Sequence, residues 1–171
     1  MIKQVSFRND VLPLKNALYR LALRITLNSA EAEDIVQDTL IKVWNKRESW
    51  AEIDSIEAFS MTICRNLALD RIDRRGSHNA SIDEQGIDSQ DSAATPLEQT
   101  QQRDSVALVR QIIDSLPVNL RMCIQLRDFE GKTYKEIAAA LDMTDEQVKI
   151  NIFRARQTIK QRFTQIDGYG L

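Results

Sequence analysis

Val11, Leu14, Leu18, Leu21 and Ile25 recur every three or four positions, the spacing that lines one side of an α-helix. A second stripe, Ala32, Ile35, Thr39 and Val43, follows Asn28, and Asn28 with Glu31 three residues on predicts a capping box at that helix start. Asp54 with Glu57 repeats the signal before a third helix carrying Ile56, Phe59, Ile63 and Leu67 and running to Arg75 and Gly76. Three helices with short connections predict a small bundle.

The second half reads the same way. Val106, Val109, Ile113 and Leu116 form one helix; Pro117 suits the first turn of the next, which carries Leu120, Cys123, Ile124 and Leu126 and stops at Gly131. Two capping boxes then follow closely, Thr133 with Glu136 and Thr144 with Gln147. Between them lie a short helix with Ile137, Ala138 and Leu141 and a turn at Asp142 and Met143. The last helix buries Val148, Ile152, Ala155, Ile159 and Phe163. A short helix, a tight turn and a longer helix predict a helix-turn-helix over residues 133–160.

Composition sharpens the fold class. Five Gly and three Pro in 171 residues leave long stretches without a breaker, so the chain is expected to be all-α. Charge divides it: residues 1–76 sum to +1, residues 77–98 to −5 and residues 99–171 to +2, within a total of −2. The middle piece is rich in Ser, Asp, Gln and Ala, has few large apolar residues and contains Gly86 and Pro96, so it reads as a flexible acidic linker. Two small helical domains, 1–76 and 99–171, are expected on either side.

Little here points to catalysis. Cys64 and Cys123 fall singly at apolar helical positions, and His78, in a Gly-Ser-His-Asn stretch that reads as loop, is the one histidine. No zinc site can be assembled from these, no nucleophile has a base beside it, and no glycine-rich phosphate loop occurs. No metal or cofactor is expected, and the two thiols are expected to be reduced core residues. No uncharged run exceeds seven residues, so no bilayer span or secretory signal is expected. The reading is a soluble cytoplasmic protein that is not an enzyme.

Three outward faces carry candidate chemistry. On the last helix, Gln147, Asn151 and Arg154 lie along one flank and Lys149, Arg156 and Lys160 along the other, with Ile150, Phe153 and Gln157 between. Amides and Arg can pair with base edges, a basic row can neutralise phosphates, and apolar residues can meet thymine methyls. On the second helix Asp34, Gln37, Asp38 and Ile41 face away from the core, with Leu40 and Trp44 widening the apolar side; this is either a protein-docking patch or a solvated acidic face. The third helix is apolar around most of its circumference, with a polar strip of Thr62, Arg65, Asn66 and Asp73 and a basic end at Arg71, Arg74 and Arg75. Trp50, in the loop before it, either stacks on an unpaired base or covers the core.

Taken in order, these segments resemble a bacterial extracytoplasmic-function (ECF) sigma factor of the sigma-70 type. Residues 32–44, Ala-Glu-Asp-Ile-Val-Gln-Asp-Thr-Leu-Ile-Lys-Val-Trp, are similar to that family's polymerase-binding segment. Residues 63–71, with Arg74 and Arg75, look like its minus-ten helix, and Tyr134-Lys135-Glu136-Ile137-Ala138 with Val148-Lys149 and Arg154-Ala155-Arg156 looks like its minus-thirty-five helix-turn-helix. The resemblance implies that Asp34, Gln37, Asp38, Ile41 and Trp44 meet the clamp helices of the polymerase largest subunit, with the flap as a further contact. It implies that Trp50, Arg65, Asn66, Asp70, Arg74 and Arg75 handle the opened minus-ten strand. It assigns Gln147, Lys149, Ile150, Asn151, Phe153, Arg154, Arg156 and Lys160 to the minus-thirty-five duplex. It also implies an anti-sigma partner, and nucleoid association once polymerase is bound.

Three positions depart from the family pattern. Ser60-Met61 stands where Trp-Leu is frequent, Asp142 stands where the turn commonly has Gly, and Ile150, Asn151 and Phe153 replace commoner polar or basic residues. Asp tolerates the left-handed conformation better than most side chains, so the turn is expected to survive. The acidic linker is expected to compete for the basic flank and weaken promoter binding by the free protein. Two other functions fit the same faces: a regulator that binds duplex DNA without polymerase, and an adaptor that ignores nucleic acid.

Overall fold

The computed structural model describes residues 4–78 and 101–167. These form α1 (Lys15–Thr26), α2 (Ser29–Asn45), α3 (Ile56–His78), α4 (Gln101–Asp114), α5 (Val118–Ile124), α6 (Tyr134–Leu141) and α7 (Asp145–Asp167), with no strand among the described residues. Most of the predicted linker, residues 79–98, lies outside them.

The first predicted helix starts late. A π-type turn, Phe7–Val11, and a 3-10 turn, Leu12–Leu14, precede α1, and Pro13 sits in the tighter of the two, where a missing N–H removes no ladder bond. At its far end Leu27 adopts the left-handed conformation, φ 57°, with its N–H on the Leu23 carbonyl at 2.7 Å. That conformation costs about 1 kcal/mol for a non-glycine residue. It is offset by Asn28, whose Oδ1 accepts the Glu31 N–H at 2.9 Å and starts α2 within two residues. Glu31 does not complete the predicted box, because its carboxylate pairs with Arg75 of α3 at 3.2 Å.

Two expectations about α3 need correction. A cap bond comes from Ser55, one residue later than expected, whose Oγ accepts the Ala58 N–H at 3.1 Å, and the Glu57 carboxylate pairs with Lys132. The helix also runs through Gly76 to His78, so the histidine expected in a loop ends the helix.

α3 is buried on two sides. Met61, Cys64 and Ala68 join Leu18, Leu21, Ala22 and Ile25 of α1 and Ala32, Ile35 and Val36 of α2 in one core. Ile56, Phe59 and Ile63 pack instead on a second cluster of Val11, Val43 and Trp50. Each fully buried Leu or Ile contributes about 1.5–3 kcal/mol through apolar area removed from water.

The carboxy-terminal helices pack around α5, whose residues Arg121 to Ile124 are all buried. A π-type turn, Gln125–Phe129, follows and ends at Gly131, φ 70°, a conformation glycine takes without strain. α6 opens with a complete capping box: Thr133 Oγ1 accepts the Glu136 N–H at 3.1 Å and Glu136 Oε1 accepts the Thr133 N–H at 2.9 Å. Asp142 turns the chain left-handed, φ 55°, as expected, and the Thr144–Gln147 box starts α7 with bonds of 3.1 and 2.9 Å. Val148, Ile152 and Ala155 of α7 close this second half of the core.

The two halves do not stand apart. Met122, Leu126, Ile137, Ala140 and Leu141 continue the cluster formed by α1, α2 and α3, and Thr62 Oγ1 of α3 donates to the Ala140 carbonyl of α6 at 3.0 Å.

Candidate polymerase and nucleic-acid interfaces

The helical period that buries Ala32, Ile35, Thr39 and Val43 turns Asp34, Gln37, Asp38 and Ile41 outward on α2, and all four are exposed. Ile41 is 57 % accessible, an aliphatic side chain in open water between acids. Asp34 is tied to Arg71 of α3 at 3.2 Å, whereas Asp38 makes no ion pair among the described residues. Trp44 extends the patch: its ring meets Phe7 edge-on at 5.4 Å, and the Arg47 guanidinium lies 4.4 Å from its centroid. An apolar spot framed by carboxylates suits a basic, partly apolar protein surface and repels DNA.

Trp50 resolves to the core alternative. It is 7 % exposed, its ring stands 6.1 Å from Trp44, and Nε1 donates to the Val43 carbonyl at 3.1 Å. The rest of the predicted minus-ten set is scattered. Asp70 and Arg74 pair with each other at 2.9 Å, one turn apart on an open face, and Arg75 is drawn to Glu31 and to the Thr26 carbonyl at 2.9 Å, where a cation suits the end of α1. Arg65 donates to Asn66 Oδ1 at 3.0 Å, while its Nε is buried without a partner.

On α7 the predicted flanks separate by environment. Gln147 spends its carbonyl oxygen on the Thr144 cap and keeps its amide hydrogens free for another acceptor. Asn151 is half-buried, with Nδ2 turned towards the sulfurs of Met143 and Cys123. Arg156 forms a two-pronged pair with Asp128 at 2.5 and 3.2 Å, which raises its pKa further. Lys149 lies 5.8 Å from the Tyr134 ring. Ile150 and Phe153 are exposed, Phe153 to 62 %, and Arg154 and Lys160 make no ion pair among the described residues. Side chains free to meet a ligand are therefore two apolar residues, Ile150 and Phe153, and two cations, Arg154 and Lys160, on the exposed side of α7.

Arg65 and α7 come together. A cleft of about 480 Å³ is lined by Arg65, Asn119, Asp142, Gln147, Asn151 and Arg154, so a predicted minus-ten residue and predicted minus-thirty-five residues share its walls.

Sequence reasoning missed the polar residues between the halves: Arg20, Arg24, Glu57, Asp114, Arg121, Glu130 and Lys132. The one available signal was Arg121, a charge set among Leu120, Met122, Cys123 and Ile124.

The Sigma-70 region 2 family matches residues 11–78, and the Sigma-70 region 4 family matches residues 107–159. The ECF RNA polymerase sigma-E factor of Salmonella typhimurium is 30 % identical over 142 residues, covering 78 % of this chain and 74 % of that protein. This chain belongs to the ECF sigma factor family. The ECF sigma factor SigE of Mycolicibacterium smegmatis is 31 % identical over 144 residues, and there the match spans 84 % of this chain and 56 % of that protein. Sigma-H of Pseudomonas aeruginosa is 29 % identical, with 87 % and 81 % covered. Among solved structures, the sigma factor RpoE of Bartonella quintana in complex with the anti-sigma factor NepR superposes with TM-score 0.73 at 26 % identity, covering 94 % of this chain and 98 % of that one. The sigma factor family is one of transcription initiation factors that direct RNA polymerase to promoters, and its region 4 binds DNA. α1–α3 thus fall in region 2, and α5 and α6 with most of α7 in region 4. No helix among the described residues is long and apolar enough to cross a membrane.

Proposed function

We propose that this chain carries core RNA polymerase to a defined set of promoters and assists strand opening there, without catalytic chemistry of its own. Asp34, Gln37, Asp38, Ile41 and Trp44 dock on the clamp helices of the largest subunit. Arg65, Asn66, Asp70, Arg74 and Arg75 handle the opened minus-ten strand, with Trp50 supporting them from the core. Gln147, Lys149, Ile150, Phe153, Arg154, Arg156 and Lys160 meet the minus-thirty-five duplex, with Asn151 at the edge of that face. Residues 1–76 and 99–171 act as the two modules and 77–98 as their linker.

The observation that carries this reading is the outer face of α7. After a tight turn capped on both sides, Ile150, Phe153, Arg154 and Lys160 stand exposed, a face suited to a groove and unsuited to idle solvation. The polymerase flap and an anti-sigma protein are the remaining partners. The apolar groove of about 350 Å³ between α4 and α7, framed by Val109, Phe129, Ile159 and Phe163, has the chemistry to receive an apolar helix from the flap. The working place is the cytoplasm, at the nucleoid when polymerase is bound.

Run-off transcription with purified core polymerase, with and without this protein, tests the reading. Promoter-specific transcripts are expected only when the protein is added; their absence overturns it.

A further inference from the structure

Among the described residues, Met143 is the one methionine that is not buried. Met61 is 1 % exposed and Met122 0 %, whereas Met143 is partly exposed and lines the open cleft beside Asp142, Gln147 and Asn151. No promoter contact proposed above uses its sulfur.

Met143 stands where two helices meet. Asp142 is left-handed, and the next N–H, that of Met143, returns to the Ala138 carbonyl at 3.0 Å, the closing bond of a Schellman cap. In such a cap the side chain at this position seats on the last turn of the helix it ends, and Met143 packs against the cluster that holds Ile137, Ala138 and Leu141. It also directly precedes Thr144, the cap of α7, and Val148 from the first turns of α7 belongs to the same cluster. That is the arrangement of a hydrophobic staple. One thioether side chain thus closes α6 and opens α7. Its sulfur is tied to two further elements: Asn151 Nδ2 of α7 donates to Sδ at 3.6 Å, and the Cys123 thiol of α5 donates at 3.8 Å.

A thioether has no proton to lose, so its lone pairs are open to peroxide near neutral pH, whereas a thiol must first become a thiolate. With hydrogen peroxide the sulfur attacks one oxygen. The S–O bond forms as the O–O bond breaks, and sulfur gives up the two electrons that the peroxide takes. The transferred oxygen passes its proton to the departing hydroxide, which leaves as water. The product is a polar, chiral side chain in a seat built for an apolar one. Its S–O dipole either leaves the packing for the water of the cleft or draws the Asn151 amide out of place, and each of these loosens the setting of α7 against α6.

We propose that Met143 is a regulatory oxidation site, where hydrogen peroxide forms the sulfoxide, unseats α7 and weakens the minus-thirty-five contacts until a sulfoxide reductase restores the thioether. Met143 touches no base in this account; it positions the helix that does. The loss of promoter contact rests on the function proposed above, whereas the site and its effect on the α6–α7 turn do not.

The test uses the full chain, treated with hydrogen peroxide and quenched with catalase before polymerase is added. Peptide mass mapping is expected to place the added oxygen on Met143 at doses that spare Met61 and Met122. Promoter-specific transcripts should then fall about tenfold. Methionine sulfoxide reductases A and B should restore them, and a thiol reductant alone should not. Met143→Leu keeps the staple without an oxidisable sulfur and should hold its transcripts through the same treatment; Met1, common to both proteins, cancels in the comparison. Equal oxidation of Met61 or Met122, undiminished transcripts from protein oxidised at Met143, recovery with the thiol reductant alone, or the same loss in Met143→Leu each overturns the site. The urea midpoint gives the comparison without polymerase: it should drop in the oxidised parent, return on repair and stay put in treated Met143→Leu, and no drop in the parent overturns the unseating of α7. Should the untreated protein direct no transcripts while the mass map and the midpoints behave as expected, the sigma factor reading fails and the oxidation site stands.

Discussion

The side-chain amide of Asn151 donates to the thioether of Met143 at 3.6 Å and lies 3.8 Å from the thiol sulfur of Cys123. Of the amides on the proposed reading helix, this one is turned inward, tying α7 to the turn before it and to α5. Asn151→Ala is expected to lower stability by about 1 kcal/mol in denaturant unfolding, the net worth of one such bond. In a promoter-selection assay its base preference should change less than that of Arg154→Ala.

Arg154 and Lys160 share α7 but should fail differently. Arg154→Ala is expected to relax base choice in the upstream element at a cost of about 1–3 kcal/mol, whereas Lys160→Ala should weaken all sequences alike and reduce the salt slope by about one. Binding isotherms at several salt concentrations, on matched and mismatched duplexes, separate the two.

Arg156 is partly spent. Its two-pronged bond to Asp128 competes with any phosphate, so Asp128→Asn should tighten non-specific duplex binding and steepen its salt dependence. Arg156→Ala should cost less affinity than Lys160→Ala in the same titration.

Asp38→Arg should abolish capture of core polymerase by the tagged protein while circular dichroism and the melting midpoint stay as in the parent, because Asp38 is exposed and makes no ion pair among the described residues. Trp50→Ala should behave in the opposite way, losing about 3–5 kcal/mol of stability as a buried aromatic is removed. Trp50→Phe should keep most of the packing and lose the bond to Val43, for about 1 kcal/mol.

Acid should loosen the junction between the halves. The Arg20 guanidinium, foremost through its hydrogen bonds, holds the Glu130 carboxyl below its usual value of 4.5. A depressed carboxylate stabilises the folded chain fully above that usual value and loses the contribution as pH falls through the lowered one. The urea midpoint should therefore drop as pH is taken from 5 downward, and Glu130→Gln should flatten the drop. Glu136 is also depressed, by its bond from the Thr133 N–H, so the difference between parent and Glu130→Gln isolates the junction.

The local architecture was readable from the chain because its causes are local. Ala32, Ile35, Thr39 and Val43 had to share one side of a helix, Thr133 with Glu136 and Thr144 with Gln147 had to cap two starts, and Asp142 had to turn left-handed between them. Distant partners also claim side chains near these helix starts: the Glu57 carboxylate pairs with Lys132 and the Glu31 carboxylate with Arg75. Periodicity also says which side of a helix is apolar without saying what covers it. Hence Arg20 and Glu130, 110 residues apart, and Arg121 beneath α1 could not be paired in advance. Nothing in the sequence says what the polar strip at Thr62 and Arg65 faces; Thr62 meets α6, and Arg65 shares a cleft with α7.

Both sulfhydryl groups are sealed inside. Burial pushes the Cys64 thiol up to about 12 and the Cys123 thiol to about 11, so near neutral pH only about one molecule in ten thousand or fewer carries a thiolate at either place. Peroxide and electrophiles attack the thiolate, and this folded chain withholds it. Oxidation at either cysteine should therefore be slow for as long as the core stays packed.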